Sequence, residues 1–387
     1  MKTVYLDYSA TTPLDPRSFD AMRPFFLEKF GNASSIHRVG QEARAALDNS
    51  RDKIAQLLAV DAGEIYFVSG GTEANNFALK CIAWRMREDG KTHIITSKSE
   101  HHAILDTCEY LEHTGFQVSY IDVDDYGMVE PEEIGKRVRS TTGLITTMHS
   151  NNEIGTINPI SEIAAIAHEH NVIFHSDAVQ SFGKIPLRVP DLQVDSLSLS
   201  AHKIYGPKGI GVLYVRKGIE IERLMHGGGQ ERGRRAGTEN IPLIVGFATS
   251  AELIISEMES EQGRISELRN KMKSMLQQKN SFIIFNGHPT HVLPNILNIS
   301  FDSRKIDIDG EALLFNLDLA GIAVASGSAC TSGSMTPSHV LSAMGRDLKT
   351  AKASIRFSLG RATTEEDLDY TVNTLEGIIN RIGKVIV

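Results

Sequence analysis

The feature that most constrains the fold of this chain is a repeated order of short β-rich runs and helical stretches from about residue 64 onward. The runs EIYFV, THIITS, GLITTMHS and NVIFHSDA are rich in β-branched and aromatic residues, and helical patterns lie between them. Strand, turn and helix in this order predict an open, mostly parallel α/β sheet. Ligands of such sheets bind beyond the carboxyl ends of the strands, so the loops that begin there are the first candidates for a site.

A second, smaller domain is predicted towards the C-terminal end. An amphipathic stretch at 241–278 predicts a long helix that links the two domains, and a chain of 387 residues is long enough for both. Runs such as ILNISFDS and SIRFSLG then alternate with helical segments in an α+β pattern. Thr363 and Glu366 have the spacing of a capping box and predict the start of the closing helix.

Composition limits the partners and the compartment. The formal charge of −8 gives no sign of a nucleic-acid-binding surface, and no apolar run approaches the roughly 18 residues of a membrane span. The N-terminal segment soon turns polar, unlike a signal peptide, and the three cysteines form no CxxC pair, which favours a reducing, cytoplasmic setting. In GGGQERGRRAGT, Arg232, Arg234 and Arg235 form either a solvated rim or a docking site for an anion or a partner.

Two strand ends carry side chains suited to a pyridine-type cofactor. In DSLSLSAHKIYGPKGIG, Lys203 follows a run that ends at Ser200, and such a lysine can form a Schiff base with a carbonyl compound such as pyridoxal phosphate (PLP). A solvated surface lysine is the alternative. In VIFHSDAVQ, Asp177 ends another run, where its carboxylate would keep a ring nitrogen protonated or would cap the next helix.

Two further junctions would complete such a site. FVSGGTEANN joins a strand to a helix through small residues, so free N–H groups, the helix dipole and the Thr72 hydroxyl favour a phosphate. Many α/β proteins have such a turn without binding phosphate. SEHHAIL places His101 after the next strand, where its ring would stack on a planar group and transfer protons, or would simply begin a helix.

The cysteines fall into two kinds of surroundings. Cys330 lies in SGSACTSGS, between Gly327 and Gly333, and this composition predicts a mobile loop. Cys330 is therefore either a reactive thiol carried by the loop or an incidental one. Cys81 and Cys108 lie in helical runs beside apolar residues and are predicted to be core residues.

Ten motifs, in order, carry a resemblance to a known family. They are YLDYSATTP, FGNASSIH, SGGTEANN, EHHAILD, NNEIGTINPI, HSDAVQSFGKIP, SAHKIYGPKGIG, GGGQERGRRAGTEN, SGSACTSGS and SIRFSLGR. Over essentially its whole length the chain resembles the NifS/IscS-type cysteine desulfurases, PLP enzymes of the class V aminotransferase group with fold type I. The resemblance implies a large PLP-binding domain at 16–255 with a mostly parallel central sheet. It also implies a smaller α+β domain, formed by 1–15 and 256–387, that carries the Cys330 loop.

The resemblance also implies a role for each candidate residue. Cys330, Lys203 and His101 are the expected catalytic residues: the nucleophile, the Schiff-base lysine, and the histidine that stacks on the ring and transfers protons. The expected cofactor ligands are Gly71, Thr72, His101, Asn152, Asp177, Gln180, Ser200, His202, Lys203 and, from a neighbouring subunit, Thr238. The expected substrate ligands are Asn32, Asn152 and Arg356. No resident metal is expected, apart from a transient contact of Cys330 with a cluster on a scaffold partner.

The implied activity is the conversion of L-cysteine into L-alanine by a homodimer. Sulfur would stay on Cys330 as a persulfide and pass to an acceptor protein for iron–sulfur cluster assembly; no nucleic-acid or membrane partner is expected. Sulfur donation mainly to tRNA thiolation and selenocysteine lyase activity are the alternatives. A true aminotransferase needs no loop cysteine, and a PLP-free platform protein needs neither Lys203 nor Asp177.

Overall fold

The computed structural model describes residues 3–386 apart from 327–329 and 332–333, and it describes no side chains at 330, 331, 334 and 335. The strands are, in chain order, β1 (Val4–Tyr5), β2 (Ile65–Val68), β3 (His93–Ser97), β4 (Gln117–Ile121), β5 (Thr142–Thr146), β6 (Ile173–Asp177), β7 (Ser196–Ser200), β8 (Gly211–Val215), β9 (Ile283–Asn286), β10 (Ile296–Phe301), β11 (Ile306–Asp307), β12 (Ile322–Ala323), β13 (Cys330–Thr331), β14 (Ser334–Met335), β15 (Ser354–Ser358) and β16 (Lys384–Val385). The helices are α1 (Pro16–Leu27), α2 (Arg38–Leu58), α3 (Gly71–Glu88), α4 (His102–His113), α5 (Pro131–Gly135), α6 (Ile160–Glu169), α7 (Val189–Leu192), α8 (Ile241–Ser256), α9 (Met258–Lys279), α10 (Gly310–Leu319), α11 (His339–Ala343), α12 (Leu348–Lys352) and α13 (Glu365–Ile382).

Seven strands form the central sheet, in the spatial order β2-β8-β7-β6-β5-β3-β4. The pairs from β7 through to β4 are all parallel, and β8 runs antiparallel to both of its neighbours, β2 and β7. Separate apolar clusters from the helices cover the two faces, so the strands are buried on both sides and read as apolar runs. The predicted open, mostly parallel α/β sheet is confirmed.

Residues from both ends of the chain build a second sheet and its core. β9, β10 and β15 pair antiparallel in the order β15-β10-β9, and β1 pairs in parallel with β12. The core beside this sheet joins Val4 and Leu6 to residues between 265 and 379, whereas the cores of the central sheet draw on residues between 33 and 254. The exact boundaries at 16–255 and at 1–15 with 256–387 stay a prediction.

The single linking helix predicted at 241–278 is wrong, because the chain bends by 70° between α8 and α9. Glu257 lies at the bend, and its carboxylate forms ion pairs with Arg17 at 2.6 Å and with Arg361 at 2.5 Å. These contacts with α1 and with the chain after β15 fix the turn that a straight helix would remove. No single described helix is long and apolar enough to cross a bilayer, although α8 and α9 would pass that test together in spite of their bend.

The predicted capping box of the closing helix is displaced by one residue. Thr364, not Thr363, caps α13, and Asp367 closes the box. The Thr363 hydroxyl instead accepts the backbone N–H of Gly360 at 3.0 Å. Consecutive threonines and acidic residues offer the same spacing in two registers, and the local contact of the Thr363 hydroxyl with Gly360 leaves Thr364 to cap the helix.

A buried ion pair holds the segment 225–238 against the central sheet. Arg51 on α2 forms two hydrogen bonds with the Glu231 carboxylate, at 2.7 and 2.9 Å, and the two side chains are only 9% and 3% exposed. Glu231 also accepts the backbone N–H of Phe67 in β2 at 3.0 Å. Its φ of 44° is strained for a residue other than glycine, so these contacts also offset a local cost.

The three arginines of this segment have partners within the chain, although Arg232 is also exposed to solvent. Arg232 and Arg234 donate to backbone carbonyls, and Arg235 forms an ion pair with Glu73 at 2.8 Å. Each guanidinium group therefore has a structural partner within the chain. Their part in binding an anion or a partner stays a prediction.

We predict that Arg51→Met lowers the free energy of unfolding by about 3–5 kcal/mol, because it leaves the Glu231 carboxylate buried and unpaired. The matched control is Arg44→Met, which breaks an ion pair with Asp48 whose side chains are both 55% exposed. This control should change stability by less than about 1 kcal/mol. Urea unfolding followed by circular dichroism measures both, and equal losses would contradict the assignment.

Candidate active site

A cavity of about 330 Å³ lies at the edge of the central sheet where β2, β3, β5, β6 and β7 end. All of these strands point the same way, so the residues that follow them meet at one edge. The cavity is lined by Ser9, Ala10, Gly71, Thr72, Asn75, His101, Met148, Ser150, Asn152, Asp177, Val179, Gln180, Ser200, His202, Lys203 and Arg356. Its volume is in the range of small-ligand sites.

All of the predicted site residues except Asn32, Thr238 and Cys330 line this cavity. Asn32 and Thr238 are exposed, and the side-chain oxygen of Asn32 accepts the backbone N–H of Ser34 at 2.8 Å. The Cys330 side chain lies outside the described residues, and its backbone pairs with Met335 in the short ladder of β13 and β14. The predicted mobility of the Cys330 loop stays a prediction.

Asp177 is held by two donors at the end of β6. The amide Nδ2 of Asn75 donates to Oδ2 of Asp177 at 2.6 Å, and the backbone N–H of Val179 donates to Oδ1 at 2.9 Å. Asp177 accepts an N–H of the turn that follows it and lines the cavity; turns and no helix follow β6 directly, so the interpretation of Asp177 as a helix cap is wrong. No cation pairs with Asp177 among the described residues, so its charge is available to a ligand.

The first turn of α3 forms a second wall of the cavity. Gly71 packs so closely that an added Cβ would lie 2.7 Å from Cγ2 of Val179. The hydroxyls of Ser9, Ser150 and Ser200 line the cavity, are buried, and have no hydrogen-bond partner among the described residues. Buried hydroxyls usually have a partner, so three in one cavity beside a helix N-terminus indicate a site for a polar, anionic ligand.

Lys203 reaches the cavity from the turn after β7. Its Nζ donates to the backbone carbonyls of Ser9 at 2.5 Å and Ala10 at 2.8 Å. Burial, together with the charge of Arg356, lowers the pKa of Lys203 to about 8. Roughly a tenth of these amines are then neutral at pH 7, against fewer than about one in a thousand at the ordinary lysine pKa. Lys203 is therefore a far better nucleophile than a surface lysine.

The two histidines of the cavity are neutral at pH 7. Burial lowers the pKa of His101, although its ring is accessible from the cavity and Asp177 opposes the shift. Nδ1 of His101 accepts the backbone N–H of Ala103 at 3.0 Å, so Nε2 carries the proton, and His101 begins α4 as well. Burial, aided by the charge of Lys203, lowers the pKa of His202 to about 4.

Arg356 enters the cavity from β15 and is held at two nitrogens. Nη1 donates to the backbone carbonyl of Asn152 at 2.9 Å, and Nη2 pairs with the Asp7 carboxylate at 2.7 Å. The Nε atom is buried and has no partner among the described residues. A guanidinium held flat in this way can bind a carboxylate with fixed orientation.

The other two cysteines are core residues, as predicted. Cys81 and Cys108 are fully buried and unpaired. Burial raises the pKa of Cys81 to about 12 and raises the pKa of Cys108 as well. Neither forms a thiolate at neutral pH, so neither is suited to act as a nucleophile.

Sequence reasoning missed several cavity residues. Asn75 lies four residues after Gly71 on α3, so helical spacing was a signal that placed both on one face. Asp7 and Ser9 reach the site only because the N-terminal segment crosses the edge of the sheet, and no local pattern indicates that contact.

A family model described as "Aminotransferase class-V" matches residues 4–371 of the chain. The protein "Cysteine desulfurase IscS" of Dictyoglomus turgidum is 50% identical over 384 residues, which cover 99% of this chain and 96% of that protein. The chain belongs to the class V aminotransferase family, within its NifS/IscS-type cysteine desulfurases. The family resemblance seen in the sequence is confirmed, and the protein is a cysteine desulfurase.

Solved structures agree with this assignment. A "NifS-like protein" superposes on the desulfurase with a TM-score of 0.91 at 40% identity, covering 98% of this chain and 100% of that one. A structure of "SspA in complex with cysteine" gives a TM-score of 0.82 at 38% identity, covering 92% and 99%. The predicted fold class, PLP fold type I, is confirmed, and the enzymes of this family are PLP-dependent.

We predict that Arg356→Lys raises the KM of this desulfurase for L-cysteine at least about tenfold, because a lysine cannot bind a carboxylate through two parallel hydrogen bonds. The preference for L-cysteine over cysteamine, which lacks the carboxylate, should fall by a similar factor. The control is Arg346→Lys, because Arg346 bonds Asn286 and does not line the cavity. An unchanged preference in Arg356→Lys would remove this residue from the substrate site. Initial rates of sulfide release with a reductant, measured for each substrate, provide the comparison.

Proposed function

We propose that this desulfurase binds PLP in the cavity at the sheet edge and stores sulfur from L-cysteine on Cys330. The observation that supports it best is the meeting of Lys203, Asp177 and Arg356 in one cavity with three unpartnered buried hydroxyls. These groups fit a planar cofactor that carries an aldehyde, a ring nitrogen and a phosphate. Bound PLP would supply an electron sink for the substrate's α-carbon.

Each cofactor group has a matching residue. Lys203 would hold the aldehyde carbon, and Asp177, aligned by Asn75, would keep the ring nitrogen protonated. His101 would stack on the ring, with Gln180 beside the ring hydroxyl and Asn152 near the substrate end. The phosphate ligands would be the first turn of α3 and the side chains near it, namely Gly71, Thr72, Ser200 and His202.

Protons are handled by groups whose pKa values suit the task. Lys203, with its pKa lowered to about 8, is able to take the α-proton of the bound substrate near neutral pH. His101 is neutral and holds its proton on Nε2, because Nδ1 is occupied by the N–H of Ala103. It can therefore donate a proton from Nε2 without first having to bind one.

Arg356 and Asn152 would orient the substrate. The guanidinium of Arg356 would bind the substrate carboxylate, and the backbone carbonyl of Asn152 with Asp7 fixes its plane. L-cysteine as the substrate is supported by the family and by the related structure that contains cysteine.

Sulfur transfer to Cys330 would then proceed by nucleophilic attack. The Cys330 thiolate attacks the substrate sulfur, a sulfur–sulfur bond forms, and the substrate carbon–sulfur bond breaks. The electron pair of that bond stays with the three-carbon fragment, which takes up one proton at its β-carbon, regains the α-proton from Lys203 and leaves as L-alanine. Cys330 is left as a persulfide, whose outer sulfur an acceptor thiol can attack.

The acceptor is proposed to be a protein that serves iron–sulfur cluster assembly, which is the usual role of this family. The proposed compartment is the cytoplasm, since Cys81 and Cys108 are free thiols and a persulfide carrier needs a reducing setting. Comparing sulfur transfer to a cluster scaffold with transfer to a tRNA-thiolation relay would distinguish the two acceptor classes.

A homodimer is proposed because an apolar surface surrounds Asn32. Phe26, Leu27, Phe30 and Ile36 are 53%, 72%, 73% and 92% exposed, which is unusual for large apolar residues so close together. A second copy that covers this patch would bury Asn32 near the interface. Thr238 is also exposed and outside its own chain's cavity, as a ligand for the neighbouring subunit's phosphate would have to be.

We predict that Cys330→Ser releases neither alanine nor sulfide from L-cysteine with a reductant, while it keeps its visible PLP absorbance. Cys81→Ala is the control and should retain activity, because Cys81 is buried away from the cavity. Mass spectrometry of wild type after one turnover should find one extra sulfur on the peptide that contains Cys330. Full activity in Cys330→Ser would exclude this residue as the nucleophile.

We predict that wild type is a dimer and that Ile36→Glu weakens the dimer and speeds PLP loss. Phe315→Glu is the control, because Phe315 is 62% exposed on α10, far along the chain from the patch. Light scattering after size exclusion gives the mass. A monomeric wild type that binds PLP tightly would contradict the proposed dimer and the role of Thr238.

A further inference from the structure

Lys184 is a half-buried lysine that the reaction described above does not use. It follows β6, and its Nζ donates to Oε1 of Gln180 at 2.9 Å. No carboxylate lies within ion-pair distance of Lys184 among the described residues. A lysine amine is rarely taken out of water without a partner of opposite charge. The hydrogen bond from the Lys184 amine to Gln180 therefore requires an explanation.

The contact belongs to a short chain of hydrogen bonds that ends at Lys203. Gln180 is 5% exposed, and its Nε2 donates to the backbone carbonyl of Ser9 at 3.0 Å. The same carbonyl accepts Nζ of Lys203 at 2.5 Å. Lys184 is therefore linked to Lys203 through the Gln180 amide and the Ser9 carbonyl.

Two contacts of opposite polarity define which way the Gln180 amide faces. A glutamine amide has one acceptor oxygen and one NH₂ group, and rotation by half a turn exchanges them. The N–H of Lys184 requires the oxygen on its side, and the Ser9 carbonyl requires the NH₂ group on the other. Without Lys184, the amide oxygen would be left buried without a donor, which favours rotation away from this position.

Lys184 can fill this role without a permanent charge. Burial, and then the charges of Lys203 and Arg356, lower the pKa of Lys184 to about 7. A neutral amine still donates an N–H to Gln180, so the contact does not depend on ionisation. A second, smaller cavity of about 50 Å³ borders both Lys184 and Lys203. It is also lined by the ionisable groups Tyr8, Tyr205, Glu261 and Arg361.

We propose that Lys184 is a positioning residue for the desulfurase reaction, which fixes the amide of Gln180 and, through the Ser9 carbonyl, the position of the Lys203 amine whenever this amine is free. The inference rests on the proposed PLP site, because Gln180 is the residue expected beside the ring hydroxyl. Lys184 itself does not line the cavity at the sheet edge, so it would contact neither the cofactor nor the substrate.

The test is a double-mutant cycle on the holoenzyme with Lys184→Met and Gln180→Met. Each single variant should lower kcat/KM for L-cysteine about tenfold and change the visible absorbance and the rate of PLP loss. The double variant should be no worse than Gln180→Met alone, because Gln180→Met already removes the one contact through which Lys184 acts. Losses that multiply to about a hundredfold in the double variant would overturn the proposal.

A control and a structural readout separate this proposal from general damage. Lys91→Met removes another half-buried lysine, which bonds the Thr142 carbonyl away from the cavity, and should leave kinetics and spectrum unchanged. Lys184→Gln is a second variant whose shorter side chain falls short of Gln180 while it remains polar. It is expected to show the same loss as Lys184→Met.

A crystal structure of the Lys184→Met apoprotein gives a result that does not depend on turnover. The Gln180 amide should leave the Ser9 carbonyl, and a retained contact would overturn the proposal. This outcome is independent of Cys330, so failure of the positioning role and failure of the persulfide mechanism give different results.

Discussion

Charge balance at one edge of the central sheet is the constraint on which the site depends. Lys184, Lys203 and Arg356 bring three basic groups together, and within the part of the chain that the structure describes only Arg356 has a carboxylate partner, Asp7. Asp177 is held by neutral donors instead of a cation. Burying unpaired ammonium groups is costly, so the lysines respond through lowered pKa values. A ligand that brings a phosphate and a substrate that brings a carboxylate would both offset this excess of positive charge.

The N-terminal segment connects the two parts of the fold at this edge. β1 pairs with β12 beside the second sheet, and Asp7 then pairs with Arg356 of β15. Two residues further, the backbone carbonyls of Ser9 and Ala10 accept Lys203 from the turn after β7. One stretch of chain thus aligns the expected substrate arginine with the expected cofactor lysine, although these two residues belong to different sheets. The alignment depends on tertiary contacts and not on either sheet alone.

These contacts explain which features could be predicted from the sequence. The alternating pattern after residue 64 predicts the parallel sheet, and strand direction alone then brings Gly71, His101, Asp177 and Lys203 to one edge. The bend at Glu257 could not be predicted, because amphipathic spacing continues through it and ion pairs from distant segments decide it. The roles of Thr238 and Asn32 come from the family resemblance, since nothing in their local sequence distinguishes a ligand from an exposed loop residue.

The position of Cys330, the proposed nucleophile, limits how sulfur could leave the enzyme. Ala325 exchanges backbone hydrogen bonds with Arg356, and Ser338 bonds the carboxylate of Glu153, next to Asn152. Both ends of the segment that carries Cys330 are therefore fixed beside the residues expected to bind the substrate. Five residues of extended chain span at most about 17 Å, so Cys330 cannot move further than this from Ala325 in any conformation. If Cys330 carries the persulfide as proposed, an acceptor must bring its own thiol close to this segment, because a persulfide on so short a tether cannot travel to a distant acceptor site.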